Sequence, residues 1–309
     1  MNRGMQRLAG SGQPLCCLEL AKFLDHFKPM QITRVLLLAS GVSCAALKRW
    51  EFVSFGDSFS DTGNVYRITN HTWPSPTVSG HFSNGMIWTE YLAAKFGATL
   101  QDFSFGGATV SSTKGYSGRN SDIAVPNVQE QISTYLTIRT SSDSIQSDDF
   151  ILFERIHIIL AGANDYFFDR NATSEAVTDA MIQNIQLLVE KANAKKFIIP
   201  QLPDISLLPY VQEHYDIKMI EAVKKHNSLL AEKLSKLVGI TIAQPNFYSF
   251  MILVASNPAT YGFKNARDSY QSHTNESVAD FVFWDSFHFT TKFNQQLSNV
   301  AYNEALYFN

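Results

Sequence analysis

Residues 52–64 read FVSFGDSFSDTGN: an apolar run, a glycine, an aspartate and then Ser58. Near the other end of the chain, FWDSFHFT places Asp285 three residues before His288. A serine hydroxyl becomes a nucleophile when a base removes its proton and a further group orients that base. At a spacing of three, one turn directs carboxylate and imidazole to the same side. Asp285 then fixes the tautomer of His288, and His288 takes the Ser58 proton. Plainer readings exist for the same residues. Ser58 followed by Asp61 has the form of a helix N-cap with an acid in the first turn. Asp285 reads equally as a helix cap beside a surface histidine. His81 and His157 are the next candidates for a base, and neither has a comparable sequence partner.

Acyl transfer also needs donors aimed at a developing oxyanion. FSFGGATV supplies Gly106-Gly107 just past an apolar run, where a bare backbone N–H can approach a ligand. LAGANDYF supplies Gly162-Ala163-Asn164-Asp165 past another run, where an asparagine amide can donate. Gly-Gly and Asn-Asp are also ordinary loop residues.

These candidates must be held by something. Short apolar runs at 52–55, 100–105, 156–161, 197–202 and 239–243 predict strands. Between them, 87–96, 128–138, 174–192 and 216–238 carry apolar residues three and four apart and predict helices. In the last helix Ile217, Ile220, Val223, Leu230, Leu234 and Leu237 mark the core face, with Gly239 as its stop. Strand–helix alternation implies a mainly parallel sheet covered on both faces, with sites at the carboxyl ends of the strands. Ser58 falls at such an end. One stretch fits badly: Glu154-Arg155 splits the apolar runs 150–153 and 156–161, and a charged pair inside a buried strand is costly.

The chain has 309 residues, 45% hydrophobic and 17% charged. Of its 25 Lys/Arg and 28 Asp/Glu, seven and two lie in residues 1–49, leaving 18 basic against 26 acidic groups in the remainder. An acidic body without a basic stripe argues against nucleic acid as a partner. The cysteines are Cys16, Cys17 and Cys44 only, so residues 50–309 have no thiol chemistry, Cys-ligated zinc or disulfide. A body of about 260 residues can bury enough surface to fold without such staples.

From Met30 the sequence has Arg34, an apolar stretch to Val42 and small residues around Ser43 to Ala46, the layout of a secretory signal peptide. That stretch is far shorter than the ~20 residues of a membrane span. Lys48-Arg49 resembles a dibasic processing site. The expected division is thus a gene-model extension over 1–29, a leader over 30–49 and one domain over 50–309. Three Asn-x-Ser/Thr sequons, at Asn70, Asn171 and Asn275, agree with export.

Taken together, the blocks FGDSFSDTGN, FSFGGAT, GAND and DSFH resemble the GDSL, or SGNH, hydrolase superfamily, whose members carry a Ser, a Gly, an Asn and a His in that order. Segments 79–93, 200–209 and 257–263 are similar to those of secreted fungal members. The resemblance implies a single-domain, three-layer α/β/α sandwich of flavodoxin-like type with about five parallel strands. It implies Ser58 as nucleophile, His288 as base and Asp285 as its orienter. The oxyanion hole would comprise the Ser58 and Gly107 N–H groups and the Asn164 amide, with Gly107 chosen over Gly106 from its place in the block. Asp57, Asp61, Asn64 and Asp165 would support the loops. Asp102 stands where many members have Asn, His81 where Arg is usual, Phe289 where Pro often follows the histidine, and Asn294 where some relatives have a second histidine.

The activity so implied is hydrolysis of a small-molecule or oligosaccharide ester without metal or cofactor, by a secreted protein expected to be monomeric. Similarity to carbohydrate acetylesterases of family 16 implies acetyl groups on plant-wall oligosaccharides as substrate, with Trp73, Trp88 and Trp284 as candidate sugar platforms beside the plainer reading of buried tryptophan. A lipase or phospholipase is the second expectation, although the body shows no long apolar lid-like segment. A non-catalytic carbohydrate- or surface-binding protein is the third.

Overall fold

Phe52-Val53-Ser54-Phe55 is apolar toward both sides, as a strand inside a covered parallel sheet must be. In the computed structural model it belongs to β1 (Leu47–Gly56), and Phe52, Val53 and Phe55 are wholly buried. The described residues are 47–110, 114–118, 121–142 and 151–308. Contacts divide the chain into Met1–Lys48 with Asp148–Leu152, and Arg49–Ser147 with Phe153–Asn309. The first unit, with the expected extension and nearly all of the leader, lies almost wholly outside the described residues. The second carries the fold.

After β1 come α1 (Asn64–Ile68), α2 (Trp88–Phe96), β2 (Thr99–Asp102), β3 (Gly115–Ser117), β4 (Ile123–Val125) and α3 (Val128–Ser142). The chain continues through β5 (Ile151–Leu160), α4 (Ala163–Phe168), α5 (Ser174–Ala192), β6 (Lys196–Ile198), α6 (Pro209–His214) and α7 (Ile217–Leu234). It ends with β7 (Thr241–Ala243), α8 (Phe247–Ser256), β8 (Asn265–Ser269), β9 (Phe281–Phe283) and α9 (Thr291–Ala305). Five strands form the parallel central sheet, in the order β2-β1-β5-β6-β7. Counting these strands alone, that is 2-1-3-4-5, the flavodoxin-like order, which reverses direction between β1 and β5.

The pleat sends alternate side chains to opposite faces. Phe52 accordingly meets Phe96 of α2 at 5.3 Å, whereas Phe55, three residues on, meets Tyr135 of α3 at 5.6 Å. Helices α2, α8 and α9 pack together, as do α3, α5 and α7. Local chemistry sets their ends: Thr173 caps α5 by accepting from Ala176 N–H, and Asp216 caps α7 by accepting from Met219 N–H at 3.2 Å.

Several expectations shift. The helix expected over 216–238 stops at Leu234, and Gly239 (φ 78) serves the turn into β7. The antiparallel pair β3–β4 and the irregular parallel pair β8–β9 carry no alternation that marked them beforehand. Trp88 is wholly buried with its edge against Phe247, so it belongs to the core and not to a sugar-facing surface. Trp73 and Trp284 are half-buried, the latter stacked on Tyr270.

The awkward Glu154-Arg155 pair does lie inside β5, and long-range partners make it tolerable. Arg155 pairs with Glu51 of β1, and Glu154 with Lys196 of β6. Lys196 also sits 4.7 Å over the Trp50 ring and donates to the Phe308 carbonyl. Both pairs lie toward the amino end of the sheet, away from the Ser58 turn. Among the described residues no helix is long and apolar enough to cross a membrane.

Candidate active site

The site begins with the chain leaving β1. Gly56 (φ 150) lies so close to β5 that a Cβ there would sit 2.2 Å from the Leu160 carbonyl oxygen. Gln131 of α3 brackets it, accepting from the Gly56 N–H and donating to its carbonyl, both at 2.9 Å. Asp57 then closes the turn. Its carbonyl accepts from the Ser60 and Asp61 N–H groups, and its carboxylate from Phe59 N–H at 3.0 Å. Ser58 stands at the apex of this turn.

Ser58 does not cap a helix, because α1 starts only at Asn64 with Gly63 as its N-cap. Asp61 does the capping. Its carboxylate accepts from the N–H groups of Gly63 (2.8 Å), Asn64 (2.5 Å) and Val65 (3.1 Å), and from Gly106 N–H (2.8 Å) in the next loop.

The turn before α9 brings the other end of the chain to Ser58. His288 Nε2 lies 2.8 Å from Ser58 Oγ, and Nδ1 lies 2.9 and 2.8 Å from the two carboxylate oxygens of Asp285. Asp285 Oδ1 also accepts from the Phe287 and His288 N–H groups at 2.8 and 2.7 Å, which fixes the carboxylate within its own turn. Burial pushes the Asp285 carboxyl up, but His288 and these N–H groups outweigh it and hold the group below its ordinary value. The side chains are 14% exposed for His288 and 25% for Asp285, open enough to meet a substrate. Phe82 at 5.0 Å and Phe59 at 6.1 Å flank the imidazole ring. A hydroxyl, an imidazole and a carboxylate in this line can pass a proton from oxygen to nitrogen while the carboxylate holds the ring's tautomer.

The two glycines of the next loop are not equivalent. The Gly106 N–H donates to Asp61, whereas those of Gly107 and Ser58 have no hydrogen-bond partner among the described residues. Gly107 (φ 84) must lack a side chain, since a Cβ would lie 2.0 Å from the Tyr116 carbonyl oxygen. Asn164 is in the first turn of α4, directly past β5, and one amide hydrogen donates to the Ala108 carbonyl at 2.9 Å. That bond links the Asn164 loop to the Gly107 loop and leaves the second amide hydrogen available. Ser58 and Asn164 thus follow β1 and β5, the neighbours at which the sheet order reverses and ligand crevices form.

The surrounding acids hold loops. Asp165 accepts from Val110 N–H at 2.9 Å, and the Asn64 amide donates to the Ser104 and Asp102 carbonyls. Asp102, an acid where an amide was the commoner expectation, accepts from the Thr62 N–H and hydroxyl, the Asn64 amide and Ser104 N–H. Burial, and then the charge of Asp61, push Asp102 up to about 7. Burial likewise pushes Asp57 up to about 7, Asp165 adding to the effect and His288 opposing it. Asp57 Oδ2 is buried without a partner among the described residues.

The other departures also find partners. His81 pairs with Glu90 at 3.1 Å, Phe289 stacks on Phe59 at 5.2 Å, and the Asn294 amide bonds the Phe289 and Thr290 carbonyls. The sequon asparagines Asn70, Asn171 and Asn275 are all exposed. Gln131, Phe59 and Phe82 were not legible as site residues, because an amide in a helix and two phenylalanines carry no motif.

Fold and site together define a protein of the hydrolase class. The chain belongs to the GDSL-like lipase/acylhydrolase family, whose model matches residues 52–300. It is 29% identical to a thermolabile hemolysin of Vibrio parahaemolyticus over 77% of this chain and 60% of that protein. It is 30% identical to a phosphatidylcholine-sterol acyltransferase of Aeromonas hydrophila over 58% of this chain and 52% of that one. A secreted effector protein of Salmonella typhimurium is 31% identical over 60% and 43%. The chain therefore spans roughly half the length of these curated relatives.

Proposed function

We propose that the protein hydrolyses carboxylic esters through an acyl-Ser58 intermediate. The observation that carries this reading is the continuous line from Ser58 Oγ through His288 to Asp285, every link at 2.8–2.9 Å. Ser58 Oγ attacks the ester carbonyl as its proton passes to His288 Nε2. The oxyanion accepts from the N–H groups of Ser58 and Gly107 and from the Asn164 amide. Collapse expels the alcohol, which takes the proton from His288. A water then repeats the sequence on the acyl-serine, delivering its proton to His288 and releasing the acid and free Ser58.

For the substrate, the acetyl esters of plant-wall oligosaccharides are the first reading, carried by the sequence blocks, with an extracellular site of action supported by the leader pattern and the exposed sequons. Hydrolysis of lipid esters is the second, favoured by the names of the hemolysin and acyltransferase relatives.

Ser58→Ala should reduce hydrolysis of p-nitrophenyl acetate to background in a folded protein, and a fluorophosphonate should label Ser58 alone. A wild type that neither turns over esters nor takes the label sinks the proposal. Chain length separates the two substrates. A small-acyl site should lose kcat/KM from acetate to butyrate to palmitate. A lipid site should gain up to roughly fourfold per carbon, the value of about 0.8 kcal/mol for each buried CH₂.

A further inference from the structure

We infer that His226, in the middle of α7, is a positioning residue for the Asn164 amide and acts on it through Tyr166. The inference rests on the esterase reading and adds to it a residue remote from the substrate.

The turn that carries Asn164 has little local support. α4 begins directly after Gly162, and no side chain caps it among the described residues. Three successive side chains tie it down instead. Asn164 donates to the Ala108 carbonyl and Asp165 accepts from Val110 N–H, both at 2.9 Å, so these two bonds reach another loop. Tyr166 reaches a long helix: its buried hydroxyl lies 2.9 Å from His226 Nδ1 of α7.

His226 also meets the start of the same turn. A Cβ at Gly162 would lie 2.8 Å from the ring's Cε1 and 3.4 Å from its Nε2, so the imidazole packs against bare backbone two residues before Asn164. The neighbouring Asn227 brackets Leu202 beyond β6, accepting from its N–H at 2.8 Å and donating to its carbonyl at 2.9 Å. One turn of α7 thus grips the chain at the carboxyl ends of β5 and β6, which are neighbours in the sheet.

The bonding around the ring sets its tautomer. Burial, with the charge of Lys233 adding to it, pushes His226 down to about 3, so the imidazole is neutral and has one N–H. The Ser174 hydroxyl donates to the Ala222 carbonyl at 2.8 Å, and its oxygen is left to accept from the Tyr166 hydroxyl. The Tyr166 oxygen then accepts from His226 Nδ1–H. Nε2 is left with a lone pair, buried and without a hydrogen-bond partner among the described residues. An unmet buried acceptor costs stability, which an apolar side chain of similar size would avoid. Such a side chain would release Tyr166, so the bond at Nδ1 and not the packing accounts for a histidine here. An oxyanion donor must be held to a fraction of an ångström, and the line from α7 through Tyr166 does that for Asn164.

Tyr166→Phe removes one hydroxyl and keeps the ring. It should lower kcat on p-nitrophenyl acetate roughly three- to tenfold, the worth of one buried hydrogen bond, with KM unchanged, because Asn164 serves the oxyanion and not the bound ester. His226→Leu should do the same. His226→Asn, whose amide N–H can stand where Nδ1–H stands, should restore most of the rate. In an Asn164→Ala background neither Tyr166→Phe nor His226→Leu should lower kcat further, since positioning has nothing left to act on. Equal factors in both backgrounds overturn the inference and mark a general loosening of the fold. A second readout needs no turnover. The side-chain amide NMR signals of Asn164, identified by their loss in Asn164→Ala, should move in His226→Leu and return in His226→Asn. Unmoved signals overturn the inference whatever the kinetics. Moved signals in a protein that turns over no ester uphold the link from α7 to Asn164 and sink the esterase reading alone.

Discussion

The two ends of the central sheet handle charge in opposite ways. At the amino end, Glu51 meets Arg155 and Glu154 meets Lys196, each acid facing a base. At the carboxyl end, neither Asp61 nor Asp102 forms an ion pair among the described residues; their oxygens accept from backbone and side-chain N–H and hydroxyl groups instead. An ion pair satisfies charge but leaves two long side chains to choose their geometry. A carboxylate collecting several N–H groups fixes the loops that own them, here α1, the Ser58 turn and Gly106 together. The acids at that end also push protonation upward, Asp165 acting on Asp57 and Asp61 on Asp102, in addition to the larger effect of burial. The amino end is built to be held, and the carboxyl end to hold the candidate site in place.

The largest expected effect is at the carboxyl end. Asn164→Ala should cost about 10²–10³ in kcat with little change in stability, the usual loss for one oxyanion donor. Unchanged kcat would remove Asn164 from the chemistry. Asp61→Asn should come next. An amide cannot accept from all four N–H groups, so urea unfolding should show a loss of about 3 kcal/mol, accompanied by a fall in turnover as the Ser58 and Gly107 loops separate. A variant with wild-type stability would show that the loops do not depend on Asp61.

Asp57 sharpens the contrast through pH. Its carboxyl is raised from 3.8 to about 7 in the folded protein. Between those values the folded chain keeps a proton that the unfolded chain has lost, so stability should fall as pH rises through that window. Asp57→Asn should flatten the fall, and an unaltered slope would count against it. Asp285 works in the opposite sense: lowered in the fold, it contributes stability that is lost as pH drops through its folded value. The smallest effect belongs to the amino end. Arg155→Ala should cost about 1 kcal/mol, as for partly exposed ion pairs, because Gln101 still donates to Glu51 at 2.6 Å. Esterase kinetics should not change; a drop in kcat would mean that the two ends of the sheet are coupled.

What the sequence alone determined is local or periodic. The five sheet strands and the long helices were legible because burial on both faces demands continuous apolar runs and burial on one face demands a 3.6-residue period. The blocks around Ser58, Gly107, Asn164 and His288 were legible because tight turns and donor loops need particular residues at fixed offsets. Tertiary structure decided what depends on residues distant in sequence. Glu154-Arg155 looked misplaced until Glu51 and Lys196 arrived from neighbouring strands. Gly107 was preferred to Gly106 only from its place in the block, and the fold adds a physical difference, since Asp61 takes the Gly106 N–H. Ser58 as helix cap or strand-end apex was settled only when α1 began six residues later. Trp88 carried a platform reading beside the plainer one of burial until Phe247 closed over it. In each case the residue's type states what it can bond to, and only the fold supplies the partner.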